Sequence, residues 1–301
     1  MAPCWICGSD ETSEWKRGSI DRPLTAADLR ITDDRYGSTL PLQRCHRCGF
    51  IFAAGGNLEA LPLLYERLSD PAYFEGGDSR RRQMRWLVDT VLREHPGART
   101  LLDIGAGSGL LVAEAQRRGL EATGIEPSRE MAEHATRVEG QTVVLGLFPH
   151  PQLQDRRFDV ITLVDVIEHV SEPVQLLRDC AAALNGNGIL VVVTPDVASF
   201  AAHLMGTRWW HFRLAHVGYF SRRSLQLAAE RAGLAPVRAF RPPWYFRVRY
   251  VADRLGRYLP IRRLNRVARR SRLLRSIYER VIPFNIRDSV GLMLRRSDDA
   301  G

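Results

Sequence analysis

Two groups of residues in this chain have types and spacings that can do chemistry. The first is Leu101-Leu102-Asp103-Ile104-Gly105-Ala106-Gly107-Ser108-Gly109, answered seventeen residues beyond Gly109 by Glu126, at the end of Gly124-Ile125-Glu126. A short apolar strand running into glycines and then a helix lets the backbone approach a ligand with no Cβ in the way, and the helix start offers free N–H groups. An acid at the tip of the following strand can accept both hydroxyls of a ribose. The glycines read G-x-G-x-G, not the dinucleotide pattern G-x-G-x-x-G, and Asp103 stands two residues before them. That acid would repel a pyrophosphate and suits a cationic nucleoside. A bare structural turn and a dinucleotide site are the alternatives.

The second group is Cys4-x-x-Cys7-Gly8 and Cys45-x-x-Cys48-Gly49, two knuckles with 37 residues between them. Four thiolates on two tight turns close a tetrahedron around Zn²⁺ and leave no open position, so this zinc is structural. A chain segment of this size lacks the core to fold unaided, and a metal replaces part of it. His46, between two of the ligands, is expected to face solvent. Cys180 falls in an apolar helical run and reads as a small buried hydrophobe.

The elements that position the first group follow from periodicity. Ser79 to Glu94 reads as an amphipathic helix capped by Ser79. Phe158 to Asp165 is a β-branched apolar run and reads as a buried strand. Pro173–Leu184 reads as a helix, which Asn185-Gly186-Asn187-Gly188 stops and turns. Gly188 to Thr194 reads as the next strand, ending at Pro195-Asp196, and Ser221 as the N-cap of a helix over Arg222–Ala232.

These motifs, in this order, resemble the class I S-adenosylmethionine (SAM) methyltransferases over roughly residues 80–240. The resemblance implies an α/β fold: a doubly wound, Rossmann-like, seven-stranded methyltransferase sheet, here with a small N-terminal zinc ribbon and a helical insert before the last strand. It implies SAM as cofactor, with Gly105, Gly107 and Gly109 about its methionine part, Asp103 near the amino group and sulfonium, and Glu126 on the ribose. Leu147 falls near the adenine, where the family usually has an acid. Asp165 faces the pocket mouth, and Tyr73 lies where a related tyrosine covers the pocket. Asp165, Glu168 and His169 resemble the acid-acid-histidine cluster of ubiquinone-type O-methyltransferases, which implies a divalent cation, Mg²⁺ or Zn²⁺. The alternative is that Glu168 and His169 brace the pocket edge by hydrogen bonds.

Methyl transfer asks the protein to hold donor and acceptor in line and, for an oxygen or nitrogen acceptor, to supply a base. His216, in His216-Val217-Gly218-Tyr219-Phe220-Ser221, is the first candidate; His169, and His211 in Trp209-Trp210-His211-Phe212, are the others. The implied acceptor is a small molecule or glycan precursor, methylated at oxygen or carbon. An RNA methyltransferase is the runner-up, and a non-catalytic SAM-binding adaptor the reading from a different class.

Composition sets the remaining bounds. The 301 residues divide as a zinc ribbon over 1–58, a helical connector and pocket cover over 59–98, a methyltransferase core over 99–240, a basic helical insert over 241–288, and a last strand with tail over 289–301. Twelve arginines between Arg247 and Arg280 face only Asp253 and Glu279; this net +10 exceeds the +9 of the whole chain, so the basicity is local. Apolar residues interleave there at helical spacing, from Tyr250 to Tyr278. The insert reads as a solvated face, or as a surface for an anionic substrate, carrier or membrane; nucleic acid ranks below these. Lys16 is the sole lysine against 42 arginines, a bias that reflects GC-rich codons more than chemistry. No apolar run reaches ~18 residues and no secretory signal leads the chain, so a cytoplasmic location is expected.

Overall fold

Strands that are apolar on both faces must be covered on both faces. Leu101-Leu102 and Val160-Ile161 are such runs, and all four side chains are fully buried in the computed structural model, which describes residues 2–33, 35–258 and 276–299. Along the chain, β1 (Thr12–Lys16), β2 (Leu42–Cys45) and β3 (Ile51–Ala53) pair antiparallel, and α1 (Leu61–Glu66) and α2 (Gly77–Glu94) follow. Then come β4 (Thr100–Ile104), α3 (Leu110–Gln116), β5 (Glu121–Glu126), α4 (Arg129–Arg137), β6 (Val143–Leu145), β7 (Phe158–Val164), α5 (Pro173–Ala183) and β8 (Leu184–Pro195). The chain goes on through α6 (Phe200–Met205), β9 (Gly218–Tyr219), α7 (Arg222–Arg231), β10 (Leu234–Phe240), β11 (Trp244–Arg247), α8 (Val248–Tyr258), β12 (Val281–Phe284) and β13 (Ser289–Arg296).

The main sheet has the expected seven strands, in the order β10-β13-β8-β7-β4-β5-β6. From β8 to β6 the neighbours are parallel; β13 and β10 are antiparallel. The order reverses at β4, so the carboxyl ends of β4 and β7 open the crevice in which doubly wound sheets bind ligands. The N-terminal sheet takes its fourth strand, β9, from the far end of the core, pairing Ile51 with Tyr219.

Three elements differ from the sequence reading. α2 starts at Gly77, and Ser79 lies inside it, because a 3-10 stretch over Pro71–Gly76 feeds straight into the helix. Asn185–Gly188 does not turn the chain. β8 begins at Leu184, and the register passes from Phe158↔Leu184 to Val160↔Ile189, so these four residues bulge opposite Asp159 alone. Asp159 holds the bulge by accepting from Asn185 Nδ2 at 2.6 Å. The insert is not wholly helical. β11 and β12 pair antiparallel on either side of α8, since the aromatic run Trp244-Tyr245-Phe246 suits a pleated surface better than a helix. Leu259, Leu264, Val267, Leu273 and Leu274 of the expected helices lie outside the described residues. Among the described residues no helix is long and apolar enough to cross a membrane.

Candidate active site

A cavity of about 1260 Å³ opens at the carboxyl ends of β4 and β7 and takes in the glycine turn. Gly105 and Gly107 are left-handed, at φ +73 and +53. A Cβ on Gly107 would lie 2.7 Å from the Tyr73 hydroxyl, and one on Gly105 2.5 Å from Val166, so Tyr73 does cover the turn. Gly109 plays another part: it does not line the cavity, and a Cβ there would press on Ala135 and Gln141. Its left-handed backbone caps α3 and lets the helix pack closely.

Three carboxylates converge on this turn. Asp103 accepts from the Thr162 hydroxyl at 2.6 Å, and burial holds its carboxyl up at about 7. Glu126 accepts from the N–H of Gly107 at 2.7 Å and of Ser128 at 2.8 Å; burial outweighs these bonds and leaves it at about 7. Asp165, strained at φ 54, is raised to about 7 by burial and by Asp288, and its Oδ1 is buried with no hydrogen-bond partner among the described residues. Arg80 lies 3.8 Å over the centre of the Tyr73 ring, and its Nε and Nη2 are buried with no hydrogen-bond partner among the described residues. Acids beside an unsatisfied guanidinium match a ligand with cationic centres, a diol and a carboxylate, which is the chemistry of SAM. Leu147 lines the same cavity, next to Gly146 and Phe148.

The loop after β7 and the segment before β9 meet on the far wall. His169 Nδ1 lies 2.8 Å from the Ala215 carbonyl and 2.7 Å from the Tyr65 hydroxyl. A carbonyl only accepts, so the ring proton sits on Nδ1 and Nε2 keeps its lone pair. Burial lowers this imidazole to about 4. His216 packs edge-on to His169 at 4.8 Å between centroids; burial holds it well below the usual histidine range, and its Nδ1 has no partner among the described residues. Glu168 accepts from Thr194 at 2.9 Å, and its other oxygen is buried with no hydrogen-bond partner among the described residues. One donor atom each from Glu168, His169 and His216 fall within 4.8 Å of one another. This corrects the expected cation set: Asp165 is not in it and His216 is. Two imidazoles and a carboxylate suit a transition ion better than Mg²⁺.

His211 faces Asp288, with Nε2 3.4 Å from a carboxylate oxygen that also accepts from Trp210 Nε1 at 2.9 Å. Burial opposes ionisation of Asp288, but His211 and Trp210 together keep its carboxyl below the usual range. Asp288, Arg80 and Tyr65 were not singled out in the sequence. Asp288 stands alone before β13 with no motif around it, and Arg80 is one of three consecutive arginines in α2 that the sequence does not tell apart.

The four cysteines come together as expected, within 4.8 Å of one another, with Cys4–Cys48 and Cys7–Cys45 each at 3.5 Å. A tetrahedron with Zn–S of about 2.3 Å has edges of about 3.8 Å, so the donors fit zinc. Contact with Cys48 draws the Cys4 thiol down to about 5. Gly8 and Gly49 are left-handed, as knuckle turns need, and His46 is exposed. The knuckles connect to the cavity wall: Ala53 donates to the Val217 carbonyl at 2.8 Å, and Val217 donates to the Glu168 carbonyl at 2.9 Å.

The fold is a doubly wound α/β sheet with three acids and a glycine turn at its switch point. A methyltransferase domain family model matches residues 78–239, more than half of the chain, and the chain belongs to that family. An uncharacterized methyltransferase of Mycobacterium sp. (strain JLS) is 32% identical over 142 residues, covering 46% of this chain and 56% of that protein. A ubiquinone biosynthesis O-methyltransferase of Caulobacter vibrioides is 39% identical over 101 residues, covering 32% and 40%. The chain thus spans about half the length of these relatives. Among solved structures, a SAM-dependent methyltransferase, possible histamine N-methyltransferase, from Thermotoga maritima is 20% identical, covers 75% of this chain and 93% of its own, and superposes with a TM-score of 0.48.

Proposed function

We propose that this protein methylates a hydroxyl of a small molecule or glycan precursor. The observation that carries the reading is the His211–Asp288 pair on the wall of a cavity whose floor is the glycine turn. SAM supplies an activated methyl group, so the protein has to bind, orient and remove one proton. Asp103, Glu126 and Asp165 hold the cationic and ribose parts, and Arg80 the carboxylate. Leu147 packs by the adenine. His211 takes the acceptor proton while Asp288 stabilises the imidazolium. His216 and His169, kept neutral by burial, are weaker bases and serve as hydrogen-bond acceptors or, with Glu168, as ligands to a transition ion. The relatives named as O-methyltransferases support oxygen as the acceptor atom. Cys4, Cys7, Cys45 and Cys48 hold a structural Zn²⁺.

Methyl-labelled SAM, incubated with the protein and lysate split into small-molecule, lipid and RNA fractions, tests this reading. Label is expected in the small-molecule or lipid fraction. Label confined to RNA would replace the reading with RNA methylation, and SAM binding with no label transferred would point to a non-catalytic adaptor.

A further inference from the structure

α2 has two working sides. Ser79, Arg80, Gln83 and Met84 line the SAM cavity, while Arg81, Arg82 and Arg85 line a second recess of about 530 Å³. Arg247 and Arg280 close that recess from the other side, and Arg247 lines both spaces. One guanidinium therefore borders both spaces, which lie on two sides of a single helix, about a helix diameter (~10 Å) apart.

The charges in the recess do not balance. Its acids are Asp78 and Glu279, and Arg247 engages both, at 3.3 and 2.9 Å. Arg81 and Arg85 are anchored from beneath, by Glu139 at 2.8 Å and Glu114 at 3.3 Å. Arg81 Nη1 is nonetheless buried without a hydrogen bond, Glu114 being 3.9 Å away. Arg82 and Arg280 have no acidic partner among the described residues. Five guanidiniums thus meet four carboxylates, counting Glu114 and Glu139 beneath, and Arg82 and Arg280 are the two left for an anion from outside. A single carboxylate would satisfy one arginine fork. A phosphoanhydride carries several anionic oxygens over a few ångströms and can engage forks from α2, Arg247 and Arg280 at once.

We infer that the recess holds the diphosphate of the acceptor. The substrate is then a diphosphate-activated molecule whose reactive end passes Arg247 into the SAM cavity. The aromatic wall along this route, with Phe246 stacked on Tyr250 at 5.0 Å, packs against the part in between. This inference rests on the methyltransferase reading and names its substrate class. The diphosphate has two chemical sources, a nucleoside diphosphate or a lipid diphosphate.

Calorimetric titration of the full chain with inorganic pyrophosphate tests the site, with S-adenosylhomocysteine titrated in parallel. Pyrophosphate is expected to bind one to one and more tightly than sulfate at equal ionic strength. The double variant Arg82→Glu, Arg280→Glu should weaken it about tenfold or more and leave S-adenosylhomocysteine within about twofold. Both substitutions are at exposed positions, so the fold is kept. Pyrophosphate binding no better than sulfate, or unchanged in the double variant, overturns the inference; so does a preference for an RNA oligomer. Failure of S-adenosylhomocysteine to bind would instead sink the methyltransferase reading. UDP and phosphatidylcholine vesicles carrying polyprenyl diphosphate then separate the sources. Tighter binding of one of them than of pyrophosphate supports the assignment, and a gain from neither refutes the link to the acceptor.

Discussion

SAM binding to this protein should strengthen as pH rises from 6 to 8 and should expel protons. Asp103 is 4% exposed and Glu126 is 6% exposed. Burial holds both carboxyls at about 7, from ordinary values of 3.8 and 4.5. At 1.36 kcal/mol per pH unit, ionising them inside the fold costs about 4 and about 3 kcal/mol. The sign follows from linkage. An acid whose pKa is raised by folding holds its proton better folded than unfolded, so the stability tied to that proton is complete below about pH 4. It drains away as pH climbs through about 7. A ligand that brings positive charge favours the ionised forms and recovers this cost. If binding returns one carboxyl to its ordinary range, Kd weakens about tenfold between pH 8 and pH 6; if it returns both, about a hundredfold. Calorimetry at pH 6, 7 and 8, in buffers with different ionisation heats, reads both Kd and the protons released. S-adenosylhomocysteine, which lacks the sulfonium charge, should change less. A Kd for SAM that is flat within about twofold, with no proton release, would refute the reasoning.

Asp288→Asn removes the charge that orients His211 and should lower kcat about 10- to 100-fold, while cofactor affinity changes less, through relief of the repulsion on Asp165 alone; an unchanged kcat would remove the pair from the mechanism. Gly105→Ala puts a Cβ 2.5 Å from Val166 at φ +73. It should cost about 2–3 kcal/mol, seen as a lower Tm and weaker SAM binding, and a wild-type Tm would contradict the packing described. Arg80→Ala should weaken SAM about tenfold or more, because the cofactor carboxylate loses its charged partner; equal affinity would place that carboxylate elsewhere. Elemental analysis should find one zinc per chain. Cys48→Ser should lower both Tm and activity, since β3 after the knuckle pairs with β9 beside His216; a zinc-free protein of full activity would count against the ribbon.

Much of the site was legible because its parts are local. Asp103 to Gly109 and Glu126 sit at the ends of short apolar runs, and a strand's length and a glycine's freedom are properties of neighbouring residues. The cysteine knuckles are local for the same reason. The Asn185–Gly188 segment shows the limit. Its composition says turn, but Asp159 on the adjacent strand supplies the hydrogen bond that makes it a bulge. The role of Gly109 was missed in the same way, since Ala135 and Gln141, which crowd it, belong to another helix and its following loop.

The strand, glycine turn and helix around Asp103, the acid at the end of the next strand and the metal knuckles follow from patterns within a few residues of each other, because backbone geometry and periodic burial act at that range; the order of the strands was set by the tertiary structure. The partners of each histidine do not. Ala215 and Tyr65 fix the His169 proton, Asp288 faces His211, and His216 takes the place of Asp165 in the cluster with Glu168. These residues lie tens to more than a hundred positions apart, and only folding sets the distances and the burial that give a shared side-chain type three different chemical parts.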